Sequence, residues 1–338
     1  MTHHALLNRR SFLGSSVASI ACLSAGGPAM AQGDTFRFIT PFSFSLSFAS
    51  VLYGDAAGYY ADEGLDMQVQ AGKGAAMAAQ MVLAEQMDVG RTGGTNYILS
   101  RVNNGAPLIS IATIAQLSPF FVISSSGNPV NSVADLEGRT VGMASLGGSM
   151  EGTLDLLMLS GGLSPDTVEK VKVADTAASF ALIEAGRAGA FIGNTSSMIK
   201  ARSARDNVVA IPMDDSMPGQ VYVARPDDVE ANPDKYAAFL RATHKAALEI
   251  ATSDDLEPIL QAIGSKHSVN GLDDMQVAKE DLATNAQNWI SKGEENLLRN
   301  IPEVWGNAVS LLDSAGMIDT RPDPTSLYTN MPLERALG

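Results

Sequence analysis

The chain has 338 residues, of which 37 are acidic and 23 are basic, so its formal net charge at neutral pH is −14. A chain this acidic is repelled by nucleic-acid phosphates and by anionic lipid surfaces, so we expect neither as a partner. Its single cysteine, Cys22, lies within a predicted leader. The mature chain is therefore expected to have no disulfide, no thiolate nucleophile and no cysteine metal site.

Residues 1–31 predict a twin-arginine signal peptide. The sequence NRRSFL at residues 8–13 precedes a short, weakly apolar run, and Ala29, Met30 and Ala31 supply a small-x-small cleavage site. The apolar run contains serine, glycine and proline and is too short to span a membrane. A lipid anchor on Cys22 is the alternative, although Ser19 stands where such sites carry an aliphatic residue. We expect an exported protein that acts in the periplasm.

Short apolar runs then alternate with helical stretches, the pattern of an α/β protein with parallel sheets. In chain order, strands are predicted at residues 36–40, 65–70, 88–90, 108–116 and 120–124, with helices up to about 63 and from 74 to 86. A second series has strands at 139–143, 168–173, 190–193, 208–213 and 221–224, with helices at 149–160 and 177–184. After residue 226 the pattern is almost wholly helical.

This organisation predicts two lobes joined by a two-segment hinge. We assign residues 34–126 plus 225–338 to lobe 1 and residues 127–224 to lobe 2, with the helical tail packed on lobe 1. The chain then crosses between the lobes near 124–128 and again near 224–226. Two crossings make a hinge, and a hinge between two α/β lobes makes a cleft that closes on a ligand.

Glycines and hydroxyl groups follow the strand predicted at 139–143, in the sequence Ser145, Leu146, Gly147, Gly148 and Ser149. Backbone amides at a helix start bind anions, and ligands in open α/β sheets gather at the carboxyl ends of strands. An ordinary turn with Ser149 as helix cap is the alternative.

Arg91, Thr92 and Gly93 occupy the matching place in the first lobe, after the strand predicted at 88–90. An arginine facing the cleft would pair a carboxylate or sulfonate with two hydrogen bonds. A solvent-facing arginine is the alternative. Thr92 and Gly93 are predicted to line the cleft.

The loop after the first strand alternates aromatic and hydroxyl side chains, with Phe42, Phe44 and Ser45 at its centre. Exposed phenylalanines are unfavourable, so these rings either fill a core or line a cleft where a ligand ring stacks on them.

Gln116 and Asn194 close two further strands and carry amides suited to hydrogen-bonding a neutral polar group. Helix capping is the alternative for Asn194. The pair Asp214 and Asp215 could hold a cationic amine, but we interpret it as a solvated surface pair. Since only His244 and His267 follow the leader, and no ligand spacing appears, we predict no metal and no cofactor.

Several segments resemble one family, the periplasmic solute-binding proteins of ABC importers for nitrate, sulfonates, taurine and thiamine-precursor pyrimidines. They are GYYADEGLD at 58–66, LAEQMDVG at 83–90, DLEGRTVG at 135–142, GGLSP at 161–165 and AGRAGAF at 185–191. In the last segment Gly189 stands where that family usually has aspartate.

The resemblance implies a type II periplasmic binding-protein fold, no catalysis, and delivery of a small solute to an ABC permease and its ATPase by a monomeric receptor. It leaves the solute open among sulfonates, carboxylates and pyrimidines. A periplasmic sensor that signals to a membrane receptor is the alternative. Relatives that make the thiamine pyrimidine use a histidine and a cysteine-rich motif, which this chain lacks, so enzymatic activity is not expected.

Overall fold

A computed structural model of the protein describes residues 34–213 and 216–338. The predicted signal peptide and the pair Asp214 and Asp215 lie outside the described residues. None of the helices in the described part of the chain is both long and apolar enough to cross a membrane.

The strands of the described residues form two five-stranded sheets. The first has the order β2-β1-β3-β10-β4 and the second the order β7-β6-β8-β5-β9. We call the sheet that contains β1 the first sheet and the other the second sheet. The strands are β1 (Asp34–Thr40), β2 (Leu65–Ala71), β3 (Val89–Gly93), β4 (Ile109–Ala115), β5 (Phe120–Ser125), β6 (Thr140–Met143), β7 (Glu169–Lys172), β8 (Ala190–Asn194), β9 (Val208–Pro212) and β10 (Gln220–Ala224).

Helices connect these strands and make up the tail after β10. Proline occupies the first turn of several tail helices, where its missing N–H breaks no helical hydrogen bond. The helices are α1 (Ala49–Ala56), α2 (Tyr59–Asp62), α3 (Ala75–Leu83), α4 (Gly94–Asn103), α5 (Ser149–Ser160), α6 (Phe180–Glu184), α7 (Thr195–Ala204), α8 (Pro226–Ala231), α9 (Pro233–Thr252), α10 (Glu257–Lys266), α11 (Met275–Trp289), α12 (Pro302–Ser314) and α13 (Met331–Leu337).

The helix predicted to run up to residue 63 is two helices in the structure. Gly58, between α1 and α2, has a φ of 80°, and Gly64, just before β2, has a φ of 77°. Both values lie in the left-handed region that glycine adopts without steric cost. The two glycines of the segment 58–66 therefore set the turns that lead the chain from α1 into β2.

The sheets are parallel, as predicted, except for two strands. Strands β1, β2 and β3 are parallel to one another, but β10 runs antiparallel to β3 and β4. In the second sheet β6 is parallel to β7 and β8, whereas β5 is antiparallel to β8 and β9. The antiparallel strands β5 and β10 are the first strands that the chain forms after each crossing between the sheets.

The positions of the crossings also differ from those predicted. Strand β5 belongs to the second sheet and β10 to the first, so the chain crosses at residues 116–119 and again at 213–219. The predicted crossings, near 124–128 and 224–226, lie one strand too late because chain order alone does not show which sheet a strand joins. We define lobe 1 as residues 34–116 with 220–338, and lobe 2 as residues 120–213.

The two crossing segments touch each other. A Cβ on Gly219 would lie 1.9 Å from the carbonyl oxygen of Leu117 in the other crossing. The second crossing also lies against α4, since a Cβ on Gly94 would lie 1.9 Å from the carbonyl oxygen of Pro218. Helix α11 holds the first crossing as well, since Asn288 exchanges two hydrogen bonds with the backbone of Leu117, at 3.1 and 3.2 Å. Only glycine permits this backbone approach.

The helical tail packs on both faces of the first sheet. On one face, α9 places Tyr236 and Phe239 against Phe36 and Phe38 of β1. On the other face, α12 contributes Trp305 to a core that includes residues of β10, α3 and α4. The second sheet has its own core, built mainly from β6, β8 and α5. The tail therefore packs on the first sheet as part of lobe 1. Lobe 2 is joined to lobe 1 by the two crossings and by side-chain contacts between the lobes.

Candidate functional site

A cleft of about 670 Å³ lies between the lobes. Below it, a nearly filled inner pocket retains about 20 Å³, close to the volume that one water needs. Phe42, Phe48, Asp175 and Asn194 line both, so the inner pocket is the floor of the cleft. The remaining polar or charged side chains are Ser43, Ser45, Lys73, Lys172, Thr176, Ser196, Ser197, Lys200, Asn270 and Asp273 in the cleft, and Ser47, Arg91, Ser149 and Gln220 in the inner pocket.

Arg91 is the buried cation of the inner pocket. Strand β3 continues to Gly93 and is covered by its neighbours, so Arg91 is 2% exposed and the solvent-facing alternative is wrong. Its guanidinium donates to the carbonyl oxygen of Ser47 and lies 4.8 Å from the ring centre of Phe48. Burial lowers the pKa of Arg91 to about 10, with an opposing influence from Tyr222. Arg91 therefore remains charged at neutral pH.

No carboxylate among the described residues pairs with Arg91. The side-chain partner of Arg91 is the neutral Gln220, whose Oε1 accepts from Nε at 3.4 Å. Because Oε1 takes that bond, the Nε2 group of Gln220 is the free end, and it is buried without a hydrogen-bond partner in the described part of the chain. A buried charge and an unpartnered buried amide are both unfavourable unless a ligand satisfies them. The inner pocket therefore presents donors to an acceptor-rich or anionic group.

Ser149, from the predicted anion cradle, reaches the inner pocket from lobe 2. Its Oγ accepts a hydrogen bond from the backbone N–H of Gly93 at 2.9 Å, so the two lobes meet here. The rest of the cradle does not line the cleft. The N–H of Gly147 donates to the carboxylate of Glu151, and the hydroxyl of Ser145 lies against Gly148. The backbone amide of Gly147, which was predicted to bind an anion, therefore already donates to a carboxylate of the protein.

The aromatic loop contributes Phe42 but not Phe44. Phe42 lines the cleft and its floor, and it packs against the core of lobe 2. Phe44 packs on the core of lobe 1, edge-on to His267 at 5.7 Å between ring centres. Ser45 lines the cleft with a buried hydroxyl that has no hydrogen-bond partner within residues 34–213 and 216–338. Phe48, which the sequence did not single out, lies beneath Arg91.

Two other predicted positions stabilise the fold instead of lining the cleft. Gln116 is buried, and its Nε2 donates to the carbonyl oxygens of Thr113, Asn296 and Arg299 at 3.0 to 3.2 Å. Thr92 is buried and accepts from Asn96 at 3.1 Å. Both side chains therefore have partners within lobe 1, and Gln116 anchors the tail to β4.

Lobe 2 supplies a carboxylate to the cleft. Asp175 follows β7, and its Oδ1 accepts from the backbone N–H of Asn194 at 3.2 Å and from the hydroxyl of Ser197 at 2.7 Å. Burial raises the pKa of Asp175, although these two hydrogen bonds and Lys200 oppose the rise. Asn194 caps α7, with its Oδ1 accepting from the N–H of Ser197 at 3.0 Å. It also lines the cleft, so the helix-capping alternative is confirmed and a ligand contact of Asn194 stays a prediction.

Sequence reasoning missed Phe48, Asp175 and Gln220. Like the predicted site residues, Asp175 is a polar side chain just beyond a strand, but its loop contains no glycine. Gln220 begins β10, and its role depends on that strand joining the first sheet beside β3. Phe48 lies in a short 3-10 turn, where no sequence period distinguishes a cleft residue from a core residue.

The sequence model of the NMT1/THI5-like family matches residues 45–255, which is more than half of the chain. The chain belongs to the NMT1/THI5-like family. The family assignment agrees with the resemblance seen in the sequence segments.

The similarity to known proteins extends over most of the chain. The riboflavin-binding protein RibY of Chloroflexus aurantiacus is 22% identical over 297 residues, 85% of this chain and 82% of that protein. A solved structure from Bordetella bronchiseptica has a TM-score of 0.70 at 21% identity and covers 90% of this chain and 97% of its own.

Two further solved structures are similar in fold to this chain. The periplasmic aliphatic sulphonate binding protein SsuA of Escherichia coli has a TM-score of 0.64 at 14% identity, covering 89% of this chain and 99% of its own. The periplasmic nitrate-binding protein NrtA of Synechocystis PCC 6803 has a TM-score of 0.65 at 13% identity, with coverage of 90% and 88%. The fold is therefore the type II periplasmic binding-protein fold, with two α/β lobes and a two-segment hinge, as predicted.

Proposed function

We propose that this protein is the periplasmic receptor of an ABC importer. It closes its two lobes on a small organic solute with an anionic group, a sulfonate or a carboxylate, and delivers that solute to a permease. The observation that carries the proposal is Arg91, a cleft cation that is 2% exposed and has no carboxylate partner among the described residues. Its guanidinium offers the planar donors that match either anion.

The surroundings of Arg91 support an anionic ligand. Gln220 adds an unpartnered Nε2 donor beside the guanidinium, and Ser149 adds a hydroxyl from lobe 2. The lining of the cleft carries Lys73, Lys172 and Lys200 against Asp175 and Asp273, a local excess of positive charge in a chain of net charge −14. Such a local field attracts anions and speeds their entry.

Closure follows from where these groups stand. Arg91 and Gln220 belong to lobe 1, whereas Ser149, Asp175 and Asn194 belong to lobe 2, so a solute that contacts both sets stabilises the closed state. The inner pocket has about 20 Å³ in the present state, so the lobes must part before a solute enters.

A ring solute with an acceptor-rich edge is a second candidate, of the pyrimidine type expected from the sequence. Phe42 and Phe48 line the cleft, its volume of about 670 Å³ exceeds the needs of a small sulfonate, and one relative is named for binding riboflavin. In this alternative, carbonyl oxygens of the ring take the place of the anion at Arg91.

Binding measurements with the variant Arg91→Gln test the proposal. The solute retained by the purified protein is identified by native mass spectrometry, and a panel of sulfonates, carboxylates, pyrimidines and riboflavin is titrated by calorimetry. Losing a buried charge-assisted contact costs about 2 to 5 kcal/mol, so we expect Kd for an anionic solute to rise about 100-fold. Without its ligand the variant should unfold at the same temperature as the wild type or higher, because it no longer buries a charge.

Arg187→Gln is the matched control, since Arg187 is exposed on lobe 2 and outside the cleft. It removes the same charge and should leave Kd unchanged. Equal Kd values for wild type and Arg91→Gln would rule out the anion site at Arg91. A wild-type protein that retains and binds no solute of the panel would contradict the receptor function.

A further inference from the structure

We propose that Asp175 selects solutes that carry an N–H or O–H donor in addition to the group held at Arg91. The inference rests on the proposed function, since it assumes that a solute occupies the cleft. According to this inference, lobe 2 binds the end of the solute that is not held at Arg91. Anions that have no hydrogen-bond donor are then not the preferred solutes.

The two oxygens of Asp175 have different surroundings. Both protein donors, the N–H of Asn194 and the hydroxyl of Ser197, bond to Oδ1. Among the described residues, no donor bonds to Oδ2, although Asp175 lines both the cleft and its floor. Two bonds on one oxygen fix the orientation of the carboxylate, so Oδ2 is held in place as an acceptor for something outside the protein.

The nearby cation does not neutralise Asp175. Lys200 is the charged group that influences it, but the Nζ of Lys200 donates to the backbone oxygen of Asn270 at 2.8 Å. No salt bridge to Asp175 is formed within the described residues. Asp175 is therefore a half-buried carboxylate that lacks a charge partner, which is unfavourable in a cleft that closes and loses its water.

A donor on the solute would relieve this cost, whereas a plain anion would increase it. An anion such as propanesulfonate places a negative charge at Arg91 and leaves Oδ2 desolvated beside an apolar methyl group. An isosteric solute with a hydroxyl or an amine in place of that methyl supplies the missing donor. Hydrogen bonds to charged groups contribute about 1.5 to 3 kcal/mol, so we expect a preference of about tenfold or more.

Asn194 extends the same recognition element. Because its Oδ1 is taken by the N–H of Ser197, its Nδ2 is the donor end, and no acceptor for it is found in the described part of the chain. An acceptor at Asp175 beside a donor at Asn194 complements a solute edge that bears an N–H next to a carbonyl. The imide edge of a ring solute has this pattern, so the inference applies to both solute classes considered above.

The test compares matched solutes by calorimetry on the full mature chain. Taurine and isethionate are compared with propanesulfonate, β-alanine with butyrate, and riboflavin with its N3-methyl derivative. We expect the donor-bearing member of each pair that binds to have a Kd at least about tenfold lower.

Asp175→Asn makes the test specific. In that variant the amide oxygen accepts the two protein donors in place of Oδ1, so an NH₂ group replaces the free acceptor. The preference should fall to less than about threefold, through weaker binding of the donor-bearing solute. Asp166→Asn, which removes one exposed carboxylate from lobe 2, should keep the preference.

Equal affinity within a pair, or a preference that survives Asp175→Asn, would overturn the inference while leaving the receptor function intact. If wild type binds none of these solutes, the proposed function fails and the inference fails with it.

Discussion

The backbone N–H of Gly93 donates to the hydroxyl of Ser149 at 2.9 Å and so joins the end of β3 in lobe 1 to the start of α5 in lobe 2. A Cβ on Gly93 would lie 2.5 Å from the Cβ of Ser149, far inside van der Waals contact. Gly93 has an extended backbone with a φ of −73°, which any residue adopts. The glycine is therefore needed for the approach of the lobes and not for the shape of its own strand.

Gly93→Ala is expected to prevent full closure. The added methyl group meets Ser149 before the hydrogen bond forms, so the closed state loses its contact at the floor of the cleft. We expect Kd for the solute to rise about 10- to 100-fold, since a core clash typically costs 1 to 3 kcal/mol. Small-angle scattering should show less compaction on adding solute.

Gly306→Ala is the control for this experiment, because a Cβ there meets nothing within 4 Å and Gly306 lies in α12. It should leave Kd unchanged and stabilise the fold by up to about 1 kcal/mol through helix propensity. A Gly93→Ala protein that binds and compacts like wild type would show that the lobes do not need to meet here.

Two buried glutamines offer a direct separation of stability from binding. The Nε2 of Gln116 donates to three carbonyl oxygens, whereas the Nε2 of Gln220 is buried with no partner. Gln116→Met leaves those acceptors unpaired, so we expect a loss of about 1 to 3 kcal/mol in unfolding free energy and an unchanged Kd. Gln220→Met should have the opposite result, because the loss of the long 3.4 Å bond from Arg91 is offset by removal of a buried amide group without a partner, so we expect little change in stability and a weaker Kd.

Urea unfolding without solute and calorimetry with solute provide the two measurements. The interpretation of Gln220 as a ligand donor fails if its variant loses stability and keeps its affinity. The anchoring role of Gln116 predicts that any loss of apparent affinity in Gln116→Met equals the fraction of protein that is unfolded. A larger loss of affinity would contradict that role.

The sequence specified the elements better than their assembly. The α5 bounds agree with the prediction at both ends, because serine and glycine mark them locally. Which sheet receives β5 and β10 is decided by pairing between residues about 70 to 130 apart, as in Phe120 with Asn194 and Gln220 with Gly93. No local pattern encodes that choice, so the crossings were misplaced by one strand.

The site shows the same limit at the level of single side chains. Arg91 was found because a polar group beyond a strand is a sequence signal, but its burial depends on Phe48, Gln220 and the neighbouring strands. Gln116 is also a polar residue at the end of a predicted strand, but its side chain points to the helical tail, because the carbonyl oxygens of Asn296 and Arg299 accept its hydrogen bonds there. The sequence indicates candidates, whereas the direction of each side chain depends on partners distant in the chain.

Phe42 and Phe44 are two residues apart, yet we expect different results when each is truncated. Phe44 packs against the lobe 1 core and His267, so Phe44→Ala should cost about 1 to 3 kcal/mol of stability with little effect on Kd. Phe42 lines the cleft and contacts the core of lobe 2, so Phe42→Ala should weaken solute binding. Thermal unfolding and calorimetry on both variants check this, and equal losses of affinity would contradict it.

Asp281 gives a pH-dependent contact between the lobes. It is fully buried on α11 and accepts from the hydroxyl of Ser196 in lobe 2 and from Nδ2 of Asn285, each at 2.8 Å. Its Oδ2 is buried without a partner. Burial raises the pKa of Asp281 to about 6, although the hydrogen bonds from Ser196 and Asn285 and the charge of Lys200 oppose the rise, and Glu280 adds to it.

A raised pKa means that the folded protein holds a proton that the unfolded chain releases near the ordinary value of 3.8. The contribution of Asp281 to unfolding free energy therefore falls as pH rises from about 4 to about 6, and the cost of the buried charge is complete above that window. Asp281→Asn removes the charge and keeps an acceptor for Ser196. Relative to wild type, it should gain stability with rising pH, by up to about 3 kcal/mol at neutral pH.

Asp135→Asn provides a control of opposite sign. The backbone N–H groups of Asn131 and Ser132 lower the pKa of Asp135, so the carboxylate stabilises the fold once it is ionised. That variant should lose stability relative to wild type as pH rises. Urea unfolding at several values between about pH 2 and 8 measures both differences, because the effect of Asp135 develops below the ordinary value of 3.8 and that of Asp281 above it. If the two variants change in the same direction, or Asp281→Asn shows no pH dependence relative to wild type, folding does not raise the pKa of Asp281.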